Sequence, residues 1–297
     1  MGKKAGPVFR EMLARAVLAI FGIPGLCFLG WVGGWFWYAL VAAIMILGLG
    51  EYYSACYGRG WRPFAMLAYL WALILLYPAL AIPDRPWSLA GPILLAASFT
   101  ILIRALATNR RAYAGSMAST IFGLLYIAMP MGFLLYLRNI DLPAFTGHVA
   151  MWSFAHRMGT VILVIAPVWA SDTGAFLAGG LWGRHKLSPV LSPHKTVEGA
   201  LGGLVCTITG TLLLGSLWLG LPVLHAIGLG LTIGVASQIG DLIESALKRD
   251  LGLKDFGTIF GPHGGVLDRF DGLLLAMPSA YLYLWLVTHA HAIAAGP

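Results

Sequence analysis

Nine apolar runs, separated by short polar stretches, limit this chain's fold more than any other feature. They cover Ala16–Gly30, Phe36–Leu49, Phe64–Ile82, Leu89–Ile103, Met117–Leu137, Gly159–Trp182, Ala200–Leu219, Ala226–Leu247 and Gly272–Thr288. A helix that crosses the hydrocarbon core of a bilayer needs about 20 mostly apolar residues. In lipid, a helix satisfies every backbone hydrogen bond within its own segment. Only 10% of the residues are charged and 59% are hydrophobic, whereas a soluble domain carries about 25% charge. So few charges could not coat a core of this size for water. The expected fold is therefore all-α, a polytopic transmembrane bundle of nine spans. We divide it into an N-terminal transmembrane region, 1–115, and a C-terminal catalytic transmembrane region, 116–297.

The net charge of +7 could suggest a nucleic-acid partner, but no basic run with interleaved aromatics lies in a polar domain. Lys and Arg instead concentrate in the cytoplasmic loops of membrane proteins. With the N-terminus inside and nine alternating spans, sixteen of the nineteen Lys and Arg residues fall on the cytoplasmic side. Only Arg85, Arg138 and Arg157 fall outside. A wrong span count would scramble this split. The basic start Met1-Gly2-Lys3-Lys4 leads into an apolar stretch with no small-residue cleavage site, which reads as a retained anchor. Gly33-Gly34 marks the turn between the first two spans. Cys27, Cys56 and Cys206 show no CxxC spacing and read as small buried hydrophobes.

The acids are unevenly placed. Four lie in the first 150 residues (Glu11, Glu51, Asp84 and Asp141), and the other eight lie mostly within Asp172–Glu198 and Asp241–Asp271. Asp241, Glu244, Ser245 and Lys248 recur at helical spacing, so they share one helix face. An acid on a membrane helix is costly unless it meets protein, water or a cation. Glu244 and Lys248 also fit a plain i,i+4 ion pair.

Further along, Gly261-Pro262-His263-Gly264-Gly265 precedes Asp268-Arg269-Phe270-Asp271. The two glycines permit a tight backbone with exposed N–H groups able to approach phosphate oxygens. Asp268 and Asp271 are one helical turn apart. Paired hard carboxylates suit Mg²⁺, which is commonly shared with substrate phosphates. In the middle of the chain, Asp172 lies inside an apolar run. The loop after it carries Arg184, Lys186, Ser188, Ser192, Lys195 and Thr196, a mixture that can hold a triphosphate through charge and hydroxyl hydrogen bonds. Its Ser-Pro pairs indicate a shaped loop.

Taken together, these residues resemble the phosphatidate cytidylyltransferase family. The family signature is matched by Ser245, Lys248-Arg249, Lys254-Asp255, Gly261-Pro262, His263-Gly264-Gly265, Asp268-Arg269 and Asp271, a 27-residue pattern. Ser171-Asp172-Thr173-Gly174, Lys186-Leu187-Ser188-Pro189 and Ser192 to Gly199 resemble a second motif of the family. That motif departs at Phe176, often Tyr, and at His194, often a second cation.

The resemblance implies a membrane-embedded enzyme that makes CDP-diacylglycerol and pyrophosphate from CTP and phosphatidic acid. It implies catalytic Asp241, Lys248, Asp268 and Asp271, with Asp241, Asp268 and Asp271 on Mg²⁺ and a second cation as a further candidate. Substrate contacts would come from Asp172, Lys186, Ser192, Lys195, Thr196, Ser245, Arg249, Lys254, His263, Gly264, Gly265 and Arg269. The expected setting is the bacterial inner membrane, with membrane lipid around the chain and the site facing the cytoplasm. A second copy of the chain is kept as a candidate partner. A polyprenol or phytol kinase of related architecture is the nearer alternative, and an ion-coupled transporter the more distant one. A transporter would not need His-Gly-Gly and a dense cationic loop at one face.

Overall fold

The computed structural model describes residues 23–82, 87–108, 113–140, 153–261 and 264–294. Nine helices run through these residues: α1 (Ile23–Val32), α2 (Gly34–Gly58), α3 (Ala65–Ala81), α4 (Trp87–Leu106), α5 (Tyr113–Asn139), α6 (Ser153–Trp182), α7 (Val197–Trp218), α8 (Val223–Leu251) and α9 (Leu267–Ala294). Each apolar run falls on one of them within the described residues; residues 16–22 of the first run lie outside those residues. Within the described residues, seven helices, all but α1 and α3, are long and apolar enough to cross a membrane. α3 is interrupted at Tyr77, where Pro78 brings no backbone N–H. Large apolar side chains such as Phe99, Val205, Leu213, Val235 and Leu286 remain exposed along the spans. That surface suits lipid tails and would be a liability in water.

α5 is the central helix. In its most apolar window 78% of the residues are buried, against 22% in α4 and α7. Met45 and Leu49 of α2, Ile127, Met131 and Leu134 of α5, and Leu274 and Met277 of α9 form one continuous core there. α5 also contains a π turn at Leu124–Ala128, and α7 ends in another at Leu212–Trp218. The expected turn at Gly33-Gly34 is present, and both residues have positive φ. The Arg138 guanidinium occupies the space a Cβ at position 33 would need, and its Nε donates to Gly30 O at 2.6 Å.

The loop read as shaped is a two-stranded antiparallel hairpin, β1 (Lys186–Ser188) and β2 (Ser192–Thr196). Thr196 then caps α7, its Oγ1 accepting the Gly199 N–H at 3.1 Å. α6 and α7 pack along their length because small residues face each other. A Cβ on Gly203 would stand 2.8 Å from Ser171 Oγ, and one on Gly199 would stand 2.8 Å from Ala175 O. One end of the bundle gathers the α2–α3 connection, the hairpin, and the loop between α8 and α9. Arg62 N bonds Ser116 Oγ there at 3.0 Å, and Glu51 meets the start of α9. The same end carries Arg59, Arg62, Arg184, Lys186, Lys195, Lys248, Arg249, Lys254 and Arg269, which is how the charge pattern sorts them.

Candidate active site

A cavity of about 650 Å³ opens between α6, the hairpin, α7, α8 and the first turn of α9. Three carboxylates from three different helices line it: Asp172 of α6, Asp241 of α8 and Asp271 of α9. Local packing brings them together. Gly240 lets α8 and α9 touch, since a Cβ there would stand 2.7 Å from Asp271 O. This contact sets Asp241 beside Asp271. Asp271 Oδ1 also accepts the Gly272 N–H at 2.7 Å, which fixes the carboxylate near its own backbone.

The three acids repel one another, while Lys195 and Arg269 attract Asp172. Lys195 Nζ lies 2.5 Å from Asp241 Oδ2, so the cavity already accepts one cation against that carboxylate. Ser192, His194 and Thr196 complete the hairpin wall. Gln238, on the deeper side, is held by a hydrogen bond from its Nε2 to Ala200 O at 2.9 Å.

A second acidic cluster lies beside the first but does not line the cavity. Lys248 Nζ reaches Glu244 Oε1 at 3.0 Å and Asp268 Oδ1 at 2.9 Å. The Glu244 side chain is fully buried and that of Asp268 is 5% exposed. Asp268 Oδ2 accepts two further bonds, from Phe256 N and Gly265 N, each at 2.9 Å. The i,i+4 pair expected of Glu244 and Lys248 is therefore present, as part of a triad that includes Asp268.

These contacts bear on two sequence expectations. Asp268, expected beside Asp241 and Asp271 on metal, has its oxygens engaged by an ammonium and two backbone N–H groups. Gly264 and Gly265, expected to offer N–H groups to phosphate, turn them inward: Gly264 N donates to Gly261 O at 3.3 Å and Gly265 N to Asp268. The physical reason is space. Gly264 has φ +80, and a Cβ on it would stand 2.8 Å from Asp268 Oδ2. A Cβ on Gly265 would collide with the Glu51 carboxylate. The two glycines admit the protein's own carboxylates to the backbone.

The other expected site residues are spread around this centre. Ser192, Lys195 and Thr196 line the cavity, and Arg269 is exposed near Asp172. Lys186, Arg249 and Lys254 are exposed and outside the cavity lining, as is the half-buried Ser245. Arg249 Nη1 donates to Leu253 O at 3.3 Å. His263 lies outside the described residues. Among the described residues, no three acids, histidines or cysteines are spaced to hold a metal ion by themselves. The sequence reading passed over Gln238 and Glu51. Glu51, two residues past the run Phe36–Leu49, carried a weaker form of the signal that singled out Asp172, an acid against an apolar run. Gln238 carried only the weaker one of an amide within a span.

The family model described as cytidylyltransferase family matches residues 13–287. A phosphatidate cytidylyltransferase of Synechocystis sp. is 33% identical over 294 residues, covering 92% of this chain and 96% of the relative. A phosphatidate cytidylyltransferase of Staphylococcus haemolyticus is 39% identical over 46% of this chain and 54% of its own length. One from Staphylococcus aureus is 46% identical over 37% of this chain and 43% of its own. Because the family match runs from before α1 into α9 and includes every residue that lines the cavity, the chain belongs to the cytidylyltransferase family.

Proposed function

We propose that this membrane enzyme joins CTP to phosphatidic acid, giving CDP-diacylglycerol and pyrophosphate, at the acid-lined cavity between α6, α8 and α9. The observation that carries this reading is the convergence of Asp172, Asp241 and Asp271 on one cavity whose hairpin wall supplies Lys195. A triphosphate would be repelled by three bare carboxylates, so its entry calls for cations.

The donor set fits Mg²⁺. Carboxylate oxygens are hard ligands, and Mg²⁺ is typically held by one or two of them plus phosphate oxygens and water. Such a site needs no complete protein cage, in keeping with the spacing of the described acids. Asp241 and Asp271 would hold the ion, and Asp172 is placed on the same cavity. When bound, the ion would neutralise phosphate charge and favour departure of pyrophosphate.

In the reaction, an oxygen of the phosphatidate phosphate attacks the α-phosphorus of CTP. The new P–O bond forms as the bond to the β-phosphate oxygen breaks, and that electron pair leaves with pyrophosphate. The nucleophile is already anionic, so no strong base is required. Residues of this chain act by alignment and charge. Lys195 can exchange its contact with Asp241 for a phosphate oxygen. Ser192 and Thr196 lie along the same wall, and Arg269 adds positive charge near Asp172. Lys248, locked between Glu244 and Asp268, keeps α8 and the start of α9 in register.

The cationic end of the bundle would face the cytoplasm of a bacterial inner membrane, where CTP is available; the positive-inside bias of the sequence supports that orientation. Purified protein in mixed micelles with CTP and phosphatidic acid tests the reading. Formation of CDP-diacylglycerol and pyrophosphate in equal amounts, abolished by a chelator and restored by Mg²⁺, is expected. Absence of product with folded protein and Mg²⁺ would overturn it.

A further inference from the structure

Glu51 lies on α2, in the half of the chain that contributes no side chain to the cavity lining. It is 8% exposed. Both of its oxygens are used. Oε1 accepts the Val266 N–H at 2.9 Å, and Oε2 accepts the Leu267 N–H at 2.8 Å. These are the last N–H before α9 and the first within it. The first N–H groups of a helix have no partner inside the helix, and the helix dipole favours a negative charge at that end. Glu51 therefore caps α9 from another helix, across 215 and 216 residues of sequence.

The cap acts together with its neighbours. Gly265 N donates to Asp268 Oδ2, while the space above the Gly265 Cα is filled by the Glu51 carboxylate. A Cβ on Gly257 would also meet that carboxylate. Glu51 thus touches both limbs of the loop that joins α8 to α9. This loop delivers Asp268 to Lys248, and one helical turn later α9 delivers Asp271 to the cavity. A capping Ser or Asp within the loop could satisfy one or two of the same N–H groups. It would not tie the loop to the N-terminal half.

We propose that Glu51 is a positioning residue for the transfer reaction: its carboxylate, anchored in α2, sets the start of α9 and so the place of Asp271 in the cavity. The proposal rests on the cytidylyl-transfer reading for its kinetic arm and on geometry alone for its structural arm. Gln at position 51 can accept from one of the two N–H groups, but its own NH₂ then faces the other. The loop should loosen while the apolar packing of α2 is kept.

The test uses the full-length protein in detergent micelles, comparing wild type with Glu51→Gln. Hydrogen exchange is followed by mass spectrometry on the peptides covering 257–270, and kcat and KM for CTP are measured on the same preparations. The expected result is faster exchange confined to the α8–α9 loop and the first turn of α9. A fall in kcat of at least about tenfold should accompany it, with KM for CTP within about twofold, since small displacements of a reacting group are costly in rate. A purely structural cap would speed loop exchange and leave kcat of the folded fraction unchanged, and that result overturns the proposal. Unchanged exchange in a folded variant also overturns it, whatever happens to rate. If Glu51→Gln gives no folded protein, Glu51→Asp is read by the same two measurements and the same outcomes. If wild type itself shows no CTP-dependent turnover, the functional reading fails. The exchange comparison then still decides whether Glu51 holds the loop.

Discussion

Two acid clusters stand side by side in this bundle, and they differ in how their charge is answered. Asp172, Asp241 and Asp271 face a cavity, and their mutual repulsion is opposed by Lys195 and by Arg269. Glu244 and Asp268 face Lys248 inside the protein, with Asp268 also held by two backbone N–H groups. Both Asp268 oxygens are met, while Glu244 Oε2 is buried with no hydrogen-bond partner among the described residues; removing the cation from such a buried cluster is costly. An acid group left open to a cavity on a membrane helix signals a ligand. On the proposed function, the difference would separate chemistry from scaffolding within a single sequence signature. Ser245–Asp271 reads as one motif, yet its acids fall on both sides of that divide.

The comparison breaks most sharply at the open cluster. Asp241→Asn keeps size and removes charge. The rate of CDP-diacylglycerol formation should fall at least about a hundredfold, the scale of losing one strong electrostatic contributor. Yield and thermal stability in detergent should stay near wild type, because relief of repulsion offsets the lost contact with Lys195. Circular dichroism melts together with a radiolabelled CTP assay check both halves.

The closed cluster should respond in the opposite currency. Lys248→Met leaves two buried acids facing each other with no cation. Removing one partner of a buried pair costs about 3–5 kcal/mol, so the variant should melt much earlier or be recovered in low yield. Restored stability is expected in Glu244→Gln/Lys248→Met relative to Lys248→Met, since one of the stranded charges is gone. Differential scanning fluorimetry of the two variants measures this. Equal melting temperatures for wild type and Lys248→Met would remove the scaffold role.

Smaller effects belong to the hairpin and the outer loop. Lys195→Ala removes a cation that can move from Asp241 to phosphate. KM for CTP should rise about tenfold, as for the loss of one charge-assisted hydrogen bond. Lys254→Ala, on an exposed loop residue outside the cavity lining, should change stability by less than about 0.5 kcal/mol and leave kcat/KM within about twofold. A large loss there would mean that the phosphate path extends over the α8–α9 loop.

Much of the fold was legible because bilayer thickness and backbone hydrogen bonding leave few solutions for apolar runs. Each run predicted a helix, although Ala65–Ala81 is broken at Tyr77-Pro78 and is shorter than the run Phe64–Ile82 implied. Asp172 and Asp241 were legible as costly charges in apolar surroundings, and Asp271 as one of two carboxylates a helical turn apart. The separation of Asp268 from them was not. An i,i+3 spacing puts Asp268 and Asp271 within one helical turn, but it does not say that Lys248 and the loop N–H groups claim the first. The glycine pair was legible as a tight turn, while what approaches it, Glu51 from over two hundred residues away, depends on tertiary packing. Lys186, Arg249 and Lys254 show the limit of composition: cations gather at this end of the bundle whether or not they touch the cavity.

The account stands most directly on the contrast between Asp271→Asn and Asp268→Asn, made in the same background. Turnover at saturating Mg²⁺ and melting temperature are measured on both purified proteins in the same micelles. Asp271→Asn should melt near wild type and lose at least about a hundredfold in rate. Asp268→Asn should melt several degrees lower, and its rate loss should shrink as temperature is lowered and the folded fraction recovers. A folded Asp271→Asn enzyme with near-normal turnover, or an Asp268→Asn enzyme with wild-type melting, would contradict the division between the open and the closed cluster.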